Sequence, residues 1–412
     1  MKKLVTILLV AMLLLSTIGA SAEIPINFWT VFNGDDGIIM QNLVDQFNAE
    51  NTDGIVVTHL PMSADDFYTK LPLAVQTGED IPDIMIAHIE RVAKLAADGI
   101  ITDMDFTIEC GIDLSSLPAE SVARGNIDGC QYTVPWDYNM ICTYANVDLL
   151  AKYNVMHIVD DGFITFDEVK EIGAAIEAAG DKDNCYALYY CGSGNEFLPR
   201  YEELGGKLFD ENGNISIDTE IWAQMIRDLR EFNELGYALP QGMSGKTNYI
   251  GQKIVLYQSG IWSSVTFRQA EGLHYEMYPL VCYSPETALS RVSSHNWMQA
   301  DNENRTEETD RAVAKFVEWM GQHALVWGTD AGQLPLHKSA TESEEFKNLP
   351  QAFLASEEMK DHIRAYNFYH WALLNNALNR LGKDPMYDLT MDPVAIGEAV
   401  QKEVNDAIAA SK

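Results

Sequence analysis

Three short runs rich in β-branched and aromatic residues, IPINFWTVF (24–32), IVVTHL (55–60) and PDIMIA (82–87), are separated by two stretches of helical periodicity. No other feature constrains the fold as much. Ile38, Leu43, Val44 and Phe47 mark one face of the first helix, and the second runs over about Asp65 to Gln76. Parallel neighbouring strands need a crossover between them, so this alternation predicts a mainly parallel sheet with helices on both faces. The second half reads as more helical. Trp222, Met225, Leu229 and Phe232 share one face, as do Ala312, Phe316 and Trp319, and an amphipathic segment over 394–409 follows Pro393. A chain of 412 residues, 47% hydrophobic, with no repeat and no long Pro/Ser linker, fits two α/β lobes joined by several short crossings.

At the start of the chain, Lys2 and Lys3, the apolar run Leu4 to Leu15 and the small residues Ala20-Ser21-Ala22 predict a cleavable export signal over residues 1–22. The run is short for a membrane span and no Cys follows it, so the expected mature chain begins near Glu23 and is periplasmic or secreted. The sequence has 28 basic and 61 acidic residues, a net charge of -33 that becomes -35 without Lys2 and Lys3. A field of that sign repels nucleic acid and anionic lipid and favours a soluble monomer. Cys110, Cys130, Cys142, Cys185, Cys191 and Cys282 contain no C-x-x-C pair and form no disulfide framework, which leaves one or two bridges and buried free thiols both open.

Signatures of catalysis and cofactor binding fail one by one. GMSGKTN (242–248) resembles the end of a phosphate loop, but Pro240 stands where the first glycine is needed. GSG (192–194) lacks the third glycine of a dinucleotide fingerprint and does not follow the first strand. DENGNISID (210–218) spaces its oxygen ligands as a calcium loop does, yet Ile215 occupies the glycine position, so Asn212-Gly213 reads as a hairpin turn. No H-E-x-x-H and no G-x-S-x-G occurs. The expectation is a chain with no catalytic residues, no cofactor and no metal.

What recurs instead is an aromatic or polar cluster where a strand ends. Trp29 is followed by Asn33, Gly34 and Asp35; His88 and Glu90 follow PDIMIA; Trp136, Asp137, Tyr138 and Asn139 follow YTVP; Trp262 follows KIVLYQSG; His295, Asn296 and Trp297 form a further group. In open α/β sheets, ligands bind beyond the carboxyl ends of the strands. Aromatic faces interleaved with Asp, Glu, Asn and His suit a sugar, whose C–H faces lie on rings and whose hydroxyls need paired donors and acceptors. The same aromatics also suit core packing, and an acidic set beside rings suits a polyamine.

INFWTVFNGDDG, KLPLAVQTGEDIPDIMIA, LAADGIITDMD, DGCQYTVPWDYNMICTYANVDLLAKYNV, LGGKLFDENGNISID, QKIVLYQSGIW and AGQLPLHKSA succeed one another along nearly the whole mature chain. In that order they resemble the extracellular solute-binding proteins of family 1, maltose-binding-protein-like components of ATP-binding-cassette importers. The resemblance implies a two-lobed periplasmic-binding-protein fold of type II, with three crossovers, a hinged cleft between the lobes and a sugar ligand passed to membrane permease subunits. It implies a first lobe of residues 23–139 plus about 277–325, and a second of 140–276 plus about 326–412. Carried onto this sequence, it implies ligand contacts from Trp29, Asp35, His88, Glu90, Trp136, Asp137, Asn139, Glu196, Phe197 and Trp262, with Asn296 and Trp297 as further candidates and Tyr369 and Trp371 as weaker ones. SSHNWMQAD departs from the glycine-rich stretch that family often carries. A secreted carbohydrate-active enzyme is the alternative of a different class.

Overall fold

The computed structural model describes residues 23–190 and 192–410, so the expected export signal and Cys191 lie outside the described residues. Strand β1 (Ile24–Thr30), helix α1 (Asp35–Glu50), strand β2 (Ile55–Pro61), helix α2 (Ala64–Thr77) and strand β3 (Ile84–His88) follow in the order the sequence predicts. β1 is parallel to both β2 and β3. Ser63 starts α2 by accepting the Asp66 N–H, and Gly78 closes it in the left-handed conformation at φ +74°.

The chain next crosses to a second sheet through strand β4 (Asp137–Asn146), ten residues long and the centre of that sheet. Strand β5 (Ile254–Gly260), the strand Tyr275–Tyr278 and strand β6 (Ser290–Ser293) all pair antiparallel with β4. Strand β7 (His295–Ala300) then returns to the first sheet, antiparallel to β3 with His295 opposite His88. That sheet is therefore mixed and not mainly parallel, because the returning chain enters it from the hinge end. Helix α3 (Glu307–Gln322) covers it, with Phe316 edge-on to Phe28 and to Trp297 at 5.3 and 5.6 Å.

A third crossing, Leu334–Pro335, pairs with Tyr138 and Asp137 of β4. Backbone bonds tie the three crossings side by side: Trp136 N–H donates to the His295 carbonyl at 2.9 Å and Leu336 N–H to the Trp136 carbonyl at 3.1 Å. The expected return to the first lobe at about 277 needs correction, since Tyr275–Tyr278 and β6 still belong to the second sheet and the chain changes sheets between Ser293 and His295. Alternating apolar residues identify a strand without saying which sheet receives it. The expected change at about 326 is also early, since Trp327 packs against Phe32 and Trp136.

Trp222, Met225, Leu229 and Phe232 are buried on the helix Thr219–Glu234, and the closing helix spans Pro393–Ala410. Asn212-Gly213 lies in a turn bracketed by an antiparallel bridge between Phe209 and Ile215. Cys110, Cys130, Cys142, Cys185 and Cys282 are unbridged. Among the described residues, no helix is long and apolar enough to cross a membrane.

Candidate functional site

A cavity of about 490 Å³ opens between the two sheets at the three crossings. One wall is the turn from β1 into α1. There Gly34 and Gly37 N–H donate to Asp36 Oδ1 at 3.0 and 2.8 Å, a use of carboxylate suited to a helix N-terminus. A Cβ on Gly37 would lie 2.6 Å from the Phe32 carbonyl oxygen, so only glycine lets α1 start this close to the strand. The sharp turn leaves Asn33 and Asp35 exposed at the cavity edge.

The opposite wall begins where β5 ends. Tyr144 Oη donates to the Gly260 and Ile261 carbonyls at 2.8 and 2.9 Å and fixes the turn that carries Trp262. The indole lies over Gly260, where a Cβ would sit 2.1 Å from the ring. Trp262 keeps 44% of its surface exposed, whereas Trp136, Trp222, Trp297 and Trp327 are fully buried. Lys246, Ser263 and Thr266 complete this wall.

The floor comes from the crossings and the end of β3: His88, His295, Asn139 and Gln333. His88 N–H donates to Tyr68 Oη at 3.0 Å, and the same hydroxyl is 2.8 Å from His88 Nδ1. Burial, then the neighbouring His295, holds the His88 imidazole well below its usual pKa, so it is neutral. His295 behaves in the opposite way. Burial opposes its charge, but Asp137, whose carboxylate oxygens lie 2.8 and 2.9 Å from Nδ1, together with Asp36 and Glu90 outweighs burial and raises the pKa. Asp137 also accepts the His295 N–H at 3.0 Å and the Trp327 Nε1–H at 2.6 Å, so one buried carboxylate joins three segments of the hinge.

Of the residues predicted from sequence, Asp35, His88, Asn139 and Trp262 border this cavity. The others belong to the interior, which corrects the expectation that they face the cleft. Trp29 packs edge-on to Phe67, Trp136 lies between Trp297 and Trp327, and Trp297 stacks on Phe28. Asp137 is the buried hinge anchor. Glu90 pairs with Arg291 and accepts Ser293 Oγ–H at 2.8 Å. Glu196 closes the capping box of the helix Gly194–Glu203, and Phe197 packs on Trp222. Asn296 donates to Ser294 and is 3.3 Å from Thr133 Oγ1. Of the weaker candidates, Trp371 stacks on Tyr366 and Tyr369 lies beside Lys94. Where strands cross between lobes, their large residues fill the layer behind the cleft, so a strand-end aromatic is as readily a hinge filler as a ligand contact.

Asp36, Lys246, Gln333, Ser263 and Thr266 were not singled out from the sequence as binding residues. Lys246 sits inside the failed phosphate loop GMSGKTN and Gln333 inside AGQLPLHKSA, and neither stretch has a periodicity that marks a cleft. A second cavity, of about 390 Å³, is lined by Tyr138, Pro335 and Leu336. Tyr138 and Asn139 are consecutive on β4, so the two cavities lie on opposite faces of the hinge strand. Among the described residues, no three His, Cys, Asp or Glu side chains gather into a metal site.

Residues 42–354 match the model of a family described as bacterial extracellular solute-binding protein. The arabinooligosaccharide-binding protein of Halalkalibacterium halodurans is 24% identical over 237 residues, which are 54% of this chain and 49% of that protein. The match thus spans about half the length of that relative. The ABC substrate-binding protein Lmo0181 from Listeria monocytogenes, solved in complex with cycloalternan, aligns with a TM-score of 0.76 at 17% identity, over 94% of this chain and 99% of that one. UgpB from Mycobacterium tuberculosis, solved in complex with glycerophosphocholine, aligns with a TM-score of 0.77 at 17% identity, over 95% and 100%. At such identities the likeness of the structures establishes the fold, a two-lobed binding protein of type II.

Proposed function

The chain belongs to the bacterial extracellular solute-binding protein family, and we propose that it is an exported receptor that takes a carbohydrate into its interlobe cleft and delivers it to the permease subunits of an ATP-binding-cassette importer. The observation that carries this reading is the exposed indole of Trp262 on one wall, facing a cavity edged by Asn33, Asp35, Asn139 and His88. A ring surface for C–H groups opposite amide, carboxylate and imidazole groups is the chemistry a sugar needs. The arabinooligosaccharide-binding relative and the cycloalternan complex support the same ligand class. Only a closed form touches ligand from both lobes, so ligand shifts the population toward closure. The reading includes export to the periplasm or medium, a monomer and no bond-breaking step.

A glycerol phosphodiester is the second reading, favoured by Lys246 on the cavity wall and by the glycerophosphocholine complex of UgpB. A thermal-shift screen of the chain lacking residues 1–22 separates the two. Arabino- and malto-oligosaccharides should raise the melting temperature by mass action and be recovered intact. A rise only with glycerophosphocholine or spermidine would overturn the carbohydrate reading, and consumption of the sugar would reassign the chain as an enzyme.

A further inference from the structure

We propose that Gln333 and His88, on the floor of the cleft, form a neutral acceptor and donor pair that reads one hydroxyl group of the ligand. The inference deepens the carbohydrate reading and rests on it for the choice of first ligand. Gln333 precedes the third crossing, and its N–H donates to the Trp327 carbonyl at 3.2 Å, which sets the residue against the hinge. Its side chain borders the cavity although the residue is only 1% exposed, and Oε1 is buried without a hydrogen-bond partner among the described residues. Buried polar atoms are nearly always paired, so an orphan amide oxygen on a residue that lines a binding cavity marks a place for a ligand donor.

His88 supplies the complementary group. Tyr68 Oη accepts the His88 N–H, and its own proton has His88 Nδ1 as the acceptor 2.8 Å away. Burial raises the Tyr68 pKa, so the phenol keeps that proton to give. With Nδ1 accepting and the ring neutral, the imidazole proton sits on Nε2, which has no protein partner among the described residues. Gln333 and His88 thus offer an acceptor and a donor without net charge. A hydroxyl both gives and takes a hydrogen bond and matches both groups. A phosphate oxygen satisfies only the imidazole, and an ammonium satisfies only the amide oxygen. Lys246 and Asp35 stand on the walls and offer separate partners to charged parts of a ligand.

The test is calorimetric titration of wild type, Gln333→Met and His88→Phe with arabinotriose, maltotriose, glycerophosphocholine and spermidine, beside the melting temperature of each protein without ligand. For whichever trisaccharide binds wild type, Gln333→Met should weaken binding about 10- to 100-fold, the loss expected when a hydroxyl is left unpaired in a closed site. One monodeoxy form of that trisaccharide should bind wild type and Gln333→Met equally, because the deleted hydroxyl and the deleted acceptor are the same contact. A purely structural role for Gln333 would not produce that equality. Should the trisaccharide bind both proteins alike, the inference fails and the carbohydrate reading stands. Binding of glycerophosphocholine alone overturns the carbohydrate reading, yet its loss in Gln333→Met would keep the hydroxyl contact on the glycerol unit. Binding of spermidine alone, a ligand without hydroxyls, overturns both.

Discussion

Truncating Trp262 to alanine tests the binding wall at its most exposed point. Trp262 has 44% of its surface exposed, which for a side chain of up to about 250 Å² is roughly 110 Å² of mainly apolar ring. A sugar lying on the ring covers between half and all of that area. At about 25 cal/mol per Å², the contact is worth roughly 1.4 to 2.8 kcal/mol, or about 10- to 100-fold in Kd. Stability should hardly change, because the ring covers the backbone at Gly260 and reaches no deep core. Calorimetric titration of the ligand found by thermal shift, with urea unfolding of both proteins, measures the two effects separately. A loss of affinity under threefold would refute the stacking argument. So would a fall of more than about 2 kcal/mol in unfolding free energy, since it would place the indole in the core.

Other substitutions probe how the cleft is held. Gly260→Ala should mimic part of the Trp262 loss, weakening ligand about tenfold, because the new Cβ would meet the indole at 2.1 Å and push it off the strand; unchanged affinity would show that the ring position is irrelevant. Asp137→Asn should cost about 3 to 5 kcal/mol in urea unfolding, since it leaves the His295 charge buried and takes an acceptor from Trp327. His295 has a raised pKa, so its paired charge stabilises the fold below the ordinary value of 6.5 and that contribution fades as pH rises through the folded value. The Asp137→Asn deficit should therefore narrow at alkaline pH, and a constant deficit would refute the pairing. Glu203 accepts the Tyr283 and Leu289 N–H groups, both at 2.9 Å, and burial pushes its carboxyl from 4.5 up to about 7. The protonated form is favoured on folding, so its contribution is complete below pH 4.5 and lost as pH rises through about 7. Glu203→Gln should gain about 1 to 3 kcal/mol on wild type between pH 5 and pH 8, and a difference independent of pH would refute the assignment.

The lobes and the cleft were not equally legible in the sequence. β1, β2 and β3 with α1 and α2 between them follow directly from periodicity, because burial of one helix face, of alternate residues at the start of β2 and of nearly every residue of β3 leaves a repeating signature. The helix Thr219–Glu234 was legible for the same reason. Sheet membership was not: Tyr275–Tyr278 has the same pattern whichever sheet it joins, and its partner β4 lies more than a hundred residues earlier. The cleft was partly legible, since Asp35, His88, Asn139 and Trp262 stand where strands end, at its rim. Trp136 and Trp297 stand at strand ends too, yet they face the layer between sheet and hinge. At a crossing, consecutive residues point to opposite faces, so Tyr138 borders one cavity and Asn139 the other. A cluster such as Trp136-Asp137-Tyr138-Asn139 therefore divides its labour, with one residue turned to the cleft and the others spent on packing, anchoring and the back of the hinge. That division depends on the register of β4 against β6 and Leu334–Pro335, a long-range property that no local spacing records. Gln333 shows the converse. Its stretch AGQLPLHKSA contributes to the family resemblance, but no local spacing marks Gln333 within it, and only the third crossing brings the residue to the cavity with its side-chain oxygen unpaired.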